Sequence, residues 1–175
     1  MESELNLRRR VVDNMKKKRY KCVILGSEGH GKTTLHESIR KVTKLLKKTE
    51  VSIYPDCLSE KLCARELIPV LEQSESVILV ISAQEGLNPD YRTCVLISRQ
   101  FEIEKMIVYL NKADIVDDKA LFEVQKEIFD LMYEYDYRKD NLSIYIGSAL
   151  GATMSSSENH KASEYQSIIQ LINNI

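Results

Sequence analysis

Nine consecutive residues, Gly26-Ser27-Glu28-Gly29-His30-Gly31-Lys32-Thr33-Thr34, lie between an apolar run and a segment with helical spacing. Glycines at three of these positions let the backbone wrap so that several N–H groups converge on one point, as a bound β-phosphate requires. Lys32 supplies a mobile cation for β- and γ-phosphates. Thr33 offers a hydroxyl to Mg²⁺, and the N-terminus of the helix that begins here adds a favourable dipole. The spacing GxxxxGK[ST] is not rare alone, but a strand before it and a helix after it make it specific. All nine residues are candidate nucleotide ligands.

A second group follows a later apolar run: Asn111-Lys112-Ala113-Asp114, or NKxD. A carboxylate at Asp114 can accept hydrogen bonds from guanine N1–H and the exocyclic N2 amino group. Adenine has an acceptor at N1 and no amino group at C2, so it leaves that charge unpaired at a cost of about 1.5–3 kcal/mol. Asn111 can brace neighbouring loops, and the Lys112 stem can lie over the base. After the last apolar run come Gly147, Ser148, Ala149 and Leu150, where a backbone N–H can meet guanine O6. Both loops fall at the carboxyl edge of the expected sheet, where such folds hold ligands.

The elements that must position these loops are legible as five apolar runs: Cys22–Leu25, Val51–Tyr54, Val77–Ser82, Met106–Leu110 and Ile144–Ile146. They are rich in Val and Ile and do not alternate with polar residues, which predicts strands covered on both faces. Between them Leu35, Ile39, Val42 and Leu46 step at helical spacing, as do Leu121, Val124, Ile128, Leu131 and Tyr135 after an Asp117-Asp118 cap. Helices over 61–73, 89–100 and 162–173 complete an α/β alternation and predict a parallel sheet. The polar stretch Ser155–Asn159 reads as a joint between the last strand and the last helix.

Composition excludes several classes. The 175 residues are 43% hydrophobic and 29% charged, without an apolar run long enough to span a membrane. The Met1-Glu2-Ser3-Glu4 start lacks the layout of a signal peptide, so a cytoplasmic location is expected. Cys22, Cys57, Cys63 and Cys94 show no CxxC spacing and read as buried thiols. The net charge of −1 conceals a basic start: residues 1–21 carry +5 and the remainder −6. This arm, residues 1–19, reads as a solvated helix before the first strand, and 20–175 as one globular domain. Nine tyrosines do not interleave with the basic run, so direct nucleic-acid binding is not expected.

The quoted motifs resemble the nucleotide-binding domain of translational GTPases, that of elongation factor Tu in particular, from about residue 20 onward. The likeness includes the His before Gly-Lys-Thr, the stretch Leu110–Asp118 and Gly147–Leu150. It implies a three-layer P-loop NTPase fold of the Ras-like G-domain type, a mostly parallel five-stranded sheet, bound GTP or GDP, and Mg²⁺ held by Thr33 and Asp56. It also implies departures. Only one helix fits between Thr34 and Val51, so the first switch and its antiparallel edge strand are expected to be missing; Thr43 and Thr49 are the only threonines there. Asp56-Cys57-Leu58-Ser59-Glu60 stands where the family has Asp-Cys-Pro-Gly-His. Ser59 replaces the glycine that meets the γ-phosphate and Glu60 the histidine that orients water; Glu60 reads as an exposed first-turn residue of the following helix, favoured there by the dipole, so no catalytic residue is assigned. The family's two β-barrel domains have no counterpart in these residues, and tRNA delivery is not expected. The expected function is a Mg-dependent guanine-nucleotide domain with weak or absent hydrolysis. The alternatives are a small GTPase completed by a protein activator and a non-enzymatic mimic that binds the elongation factor's partners.

Overall fold

The computed structural model describes residues 20–45, 53–54, 64–154 and 163–175. In chain order these form β1 (Tyr20–Leu25), α1 (Lys32–Leu45), β2 (Ile53–Tyr54), α2 (Ala64–Leu71), β3 (Ser74–Ser82) and α3 (Pro89–Gln100). Then come β4 (Lys105–Asn111), a 3-10 turn (Ala113–Ile115), α4 (Asp118–Glu134), β5 (Leu142–Ile146), α5 (Ala149–Met154) and α6 (Ser163–Asn174). The sheet runs β2-β1-β3-β4-β5, and every pair is parallel. Helices cover both faces, as the unbroken Val/Ile runs require. Val77, Leu79 and Ile81 of β3 face a core closed by α2, α3 and α4, whereas Ile78 and Val80 face one closed by α1, α5 and α6.

The periodic segments start and stop where local chemistry says they should. Asp117 caps α4, its carboxylate accepting from Ala120 N–H at 2.7 Å. Asn88 caps α3 through Asp90 N–H at 3.0 Å, with Pro89 at the first helical position, where its missing N–H costs nothing. Strand limits differ more from expectation, because polar residues such as Lys105 and Ser74 pair within the ladder at strand ends. β5 also departs from a strand covered on both faces. It lies at the sheet edge, and all five of its residues are half-buried. The six-residue α5 had no helical signal, being too short for a period and containing Gly151.

Cys22 and Cys94 are buried thiols outside any disulfide, and burial pushes Cys94 up to about 12. The basic arm 1–19, residues 46–52 with Thr49 and the expected absence of the first switch, Asp56–Glu60, Cys57, Cys63 and Ser155–Asn159 lie outside the described residues. Among the described residues no helix is long and apolar enough to cross a membrane.

Candidate functional site

β1 and β3 are neighbours, yet the chain leaves them toward opposite faces, into α1 on one side and α3 on the other. That divergence opens a crevice at the carboxyl ends of the strands. The Gly26–Gly31 loop occupies it. Gly26 has φ +146°, and a Cβ there would stand 2.4 Å from Val80 O, so only glycine lets the loop lie against β3. Gly31 has φ +94°, and its Cβ would stand 2.2 Å from Asn111 Nδ2. Gly29 and Glu28 form the exposed crest of the turn, with φ +75° at Gly29.

Lys32 opens α1, and its side chain folds back over the loop. Nζ donates to Gly26 O at 2.8 Å and to Ser27 O at 2.7 Å. An ammonium has three donors, so two carbonyls fix its position and the third remains for a ligand oxygen. Burial holds this ammonium below its ordinary value of 10.5. Thr33 is exposed and Thr34 half-buried on the same first turn, whose N–H groups have no intrahelical acceptor. Ser27 is tied outward instead. Its N–H donates to the Tyr91 hydroxyl at 3.4 Å, and its own hydroxyl donates to Asn88 Oδ1 at 3.1 Å.

Asn111 is the staple of the site. It ends β4, 3% exposed, with Nδ2 donating to His30 O at 3.0 Å and Oδ1 accepting from Ala149 N–H at 2.9 Å. Its backbone carbonyl accepts from Ala83 N–H at 2.8 Å. One residue thus joins the loops that follow β1, β3 and β5. The next residue, Lys112, is left-handed at φ 59° and ψ 31°, a conformation that costs a non-glycine residue about 1–2 kcal/mol. Asp114 is exposed on the 3-10 turn just beyond. Ser148 is buried, its hydroxyl accepting from Gly151 N–H at 3.1 Å, and Leu150 is exposed. The candidate phosphate and base residues therefore converge on one edge of the sheet.

Three residues that no spacing marked, Glu85, Asn88 and Tyr91, complete the site around His30 of the phosphate-loop motif. His30, 2% exposed, is the hub. Ser82 N–H donates to its Nδ1 at 2.9 Å, which leaves the proton on Nε2, 3.2 Å from Glu85 Oε2. The Tyr91 hydroxyl sits 2.6 Å from Nδ1 and 2.8 Å from Val80 O, and burial pushes that phenol up. Glu85 Oε1 accepts from Lys112 Nζ at 2.8 Å. Asn88, the cap of α3, also holds the phosphate loop, Nδ2 donating to Ser27 Oγ at 2.8 Å. A single sequence offers no rule that would link Glu85 to residues 55 positions upstream and 27 downstream.

Burial lowers the His30 pKa from its ordinary 6.5, Lys112 and Lys32 act in the same direction, and Glu85 opposes them. A histidine depressed in the folded state stabilises the fold fully above the unfolded value. That contribution is lost as pH falls below about 6.5 and through the folded value, because the unfolded chain then binds the extra proton. Thermal melts are expected to lose Tm as pH drops from 7 toward 5.5. In His30→Asn, which keeps an acceptor for Ser82 N–H but does not titrate, that slope is expected to flatten. Parallel slopes for the two proteins would show that His30 is not the group responsible.

A strand, glycine loop and helix at the switch point, stapled to two further loops on the same rim, define a P-loop nucleotide-binding domain. The family model for the elongation factor Tu GTP binding domain matches residues 63–174, from just before α2 to the end of α6, and the chain belongs to this family. It is therefore a GTP-binding domain of the elongation factor Tu type. The Gly26–Thr34 loop precedes the matched residues and stands on its own geometry.

The resemblance to this family implies Mg²⁺, and of the two ligands expected for it the described residues include Thr33 alone. Among the described residues no group of three or more His, Cys, Asp or Glu is placed to hold a metal ion, while the exposed Thr33 offers a hard oxygen beside Lys32. Mg²⁺ characteristically takes one or two protein oxygens and fills its shell with phosphate and water. When bound, it neutralises phosphate charge.

Proposed function

We propose that this domain holds GTP or GDP with Mg²⁺ as a regulatory module with little intrinsic hydrolysis. The observation that carries the binding reading is Asn111, whose two side-chain hydrogen bonds bring the phosphate loop and the last base loop to one rim. In this reading Gly26–Thr34 cradle the diphosphate and Lys32 grips its oxygens. Thr33, with Asp56, holds Mg²⁺. Asp114 recognises guanine's donor edge, the Lys112 stem lies over the ring, and Ser148–Leu150 close on O6. The slow-hydrolysis part rests on the chemistry of Ser59 and Glu60. A carboxylate beside a triphosphate cannot stabilise added negative charge as a cation or an amide donor would. A protein effector and a cytoplasmic setting complete the reading.

Denaturing freshly purified protein and identifying the released nucleotide tests it. Recovered GDP or GTP supports binding; protein that is empty and stays empty on addition of either marks a mimic of the fold. In titration calorimetry with Mg²⁺, GDP and GTP are expected to agree within about threefold. One γ-phosphate-specific hydrogen bond of about 1.4 kcal/mol would give tenfold. A large preference for GTP, or turnover that appears on adding cell extract, would point to a working switch completed by a partner.

A further inference from the structure

We propose that Glu85 is a clasp that sets how long nucleotide stays bound: one carboxylate joins the phosphate loop to the guanine loop, and opening it frees the ligand. The inference rests on the binding reading above and adds a determinant of residence time to it. Each Glu85 oxygen has its own partner, Oε2 facing His30 Nε2 at 3.2 Å and Oε1 facing Lys112 Nζ at 2.8 Å. The two partners lie on loops that leave different strands, β1 and β4, and Glu85 lies in the turn after β3, the strand between them. That turn is itself tied down, Glu85 N–H meeting the Ser82 hydroxyl at 3.3 Å and Gly86 N–H meeting Ser82 O at 2.9 Å. The carboxylate therefore sits on a fixed base and reaches both ways.

The lysine end needs holding. Lys112 adopts a left-handed backbone next to Asn111, so a tether on its ammonium restrains the conformation that aims the following Asp114. The histidine end acts on the loop beneath the phosphates, because the His30 carbonyl is the acceptor for Asn111 Nδ2. Glu85 touches neither the described phosphate cradle's inner face nor Asp114. It is a positioning residue, and its effect belongs in the dissociation rate, equally for GDP and GTP. The pair is also unequal in depth: the His30 side chain is 3% exposed, but those of Glu85 and Lys112 are 46% and 30% exposed. Dissolved salt screens the outer half and leaves the inner half intact.

The test follows dissociation of N-methylanthraniloyl-GDP from the full chain, chased with excess GDP, at low and high salt. Glu85→Gln is expected to raise the dissociation rate by about 3–10-fold, with little change in association. Glu127→Gln, the same charge change on α4 outside the clasp, is expected to leave the rate unchanged. Lys112→Met keeps an apolar stem and drops the tether. The double variant with Glu85→Gln is then expected to dissociate more slowly than the product of the single effects predicts, because both changes open one contact. The wild-type rate is expected to rise with salt more steeply than that of Glu85→Gln. Multiplicative single effects, or equal salt slopes, overturn the clasp while leaving the binding reading intact. Failure of the wild-type protein to bind the probe overturns both. If Glu85→Gln does not fold, the salt slopes of wild type and Lys112→Met decide, since only an intact clasp gives wild type the steeper one.

Discussion

Lys32→Ala is expected to weaken GDP and GTP alike by about 10–10²-fold, with the fold retained. The size follows from how the side chain is held. Its ammonium is 2.7 Å and 2.8 Å from the Ser27 and Gly26 carbonyls, already desolvated and already ordered before any phosphate arrives. A ligand oxygen then meets a cation that needs no further reorganisation. The one donor left to the ammonium makes a charge-assisted hydrogen bond of about 1.5–3 kcal/mol, which corresponds to roughly one to two decades. The loss is common to both nucleotides because the β-phosphate is common to both. Truncation to Ala vacates the space of the Lys32 side chain, where water can take the place of the ammonium at the Gly26 and Ser27 carbonyls. Titration calorimetry measures the loss and circular dichroism the retained structure. An affinity within threefold of wild type for either nucleotide would remove Lys32 from the site.

How far the site could be read in advance depended on whether a residue's role is local. Lys32, Asn111 and Asp114 sit in short spacings whose meaning is set by the strand before and the helix or turn after. The apolar runs marked those strands well, since a strand buried between two helical layers is apolar at most positions, with Ser76 and Ser82 buried polar exceptions in β3. Glu85 and Tyr91 had no such marker. Their roles arise because β3 lies between β1 and β4, with Ser82 level with Asn111, so the turn after β3 lies between the two nucleotide loops. Strand order is a property of the whole chain, and in sequence Glu85 was one acidic residue in a polar turn. Tyr91 lies on the buried face of α3. Its hydroxyl sits where that face meets the phosphate loop, 2.8 Å from Val80 O, and nothing in the helical period reports it. α5 was overlooked for a different reason. Its six residues are held by tertiary contact with α1, Ser38 Oγ donating to Ala149 O at 2.6 Å and Lys41 Nζ to Thr153 O at 2.6 Å. Intrinsic preference alone would not stabilise so short a helix.

Asp114→Asn is expected to invert the choice of base from guanine to xanthine while leaving the grip on the diphosphate untouched. Guanine turns two donors toward this position, N1–H and the N2 amino group, and a carboxylate accepts both. An amide keeps one acceptor but sets its own NH₂ against the N2 amino group, donor against donor. Xanthine carries an oxygen at C2 and keeps N1–H, so it fits the amide and repels the carboxylate. Two hydrogen bonds change sign together, and at about 1.5–3 kcal/mol each the XDP/GDP affinity ratio is expected to rise by about 10²–10⁴-fold. The change is isosteric and falls on an exposed residue of the 3-10 turn, so Tm is expected to stay close to wild type. The comparison is clean because the two ligands share the ribose and both phosphates, and any defect in the Gly26–Thr34 loop cancels in the ratio. Competition between the two diphosphates for a fluorescent analogue reads that ratio directly. If the variant still binds GDP and the ratio does not move, base recognition does not run through Asp114, and the turn after β4 serves some purpose other than choosing guanine.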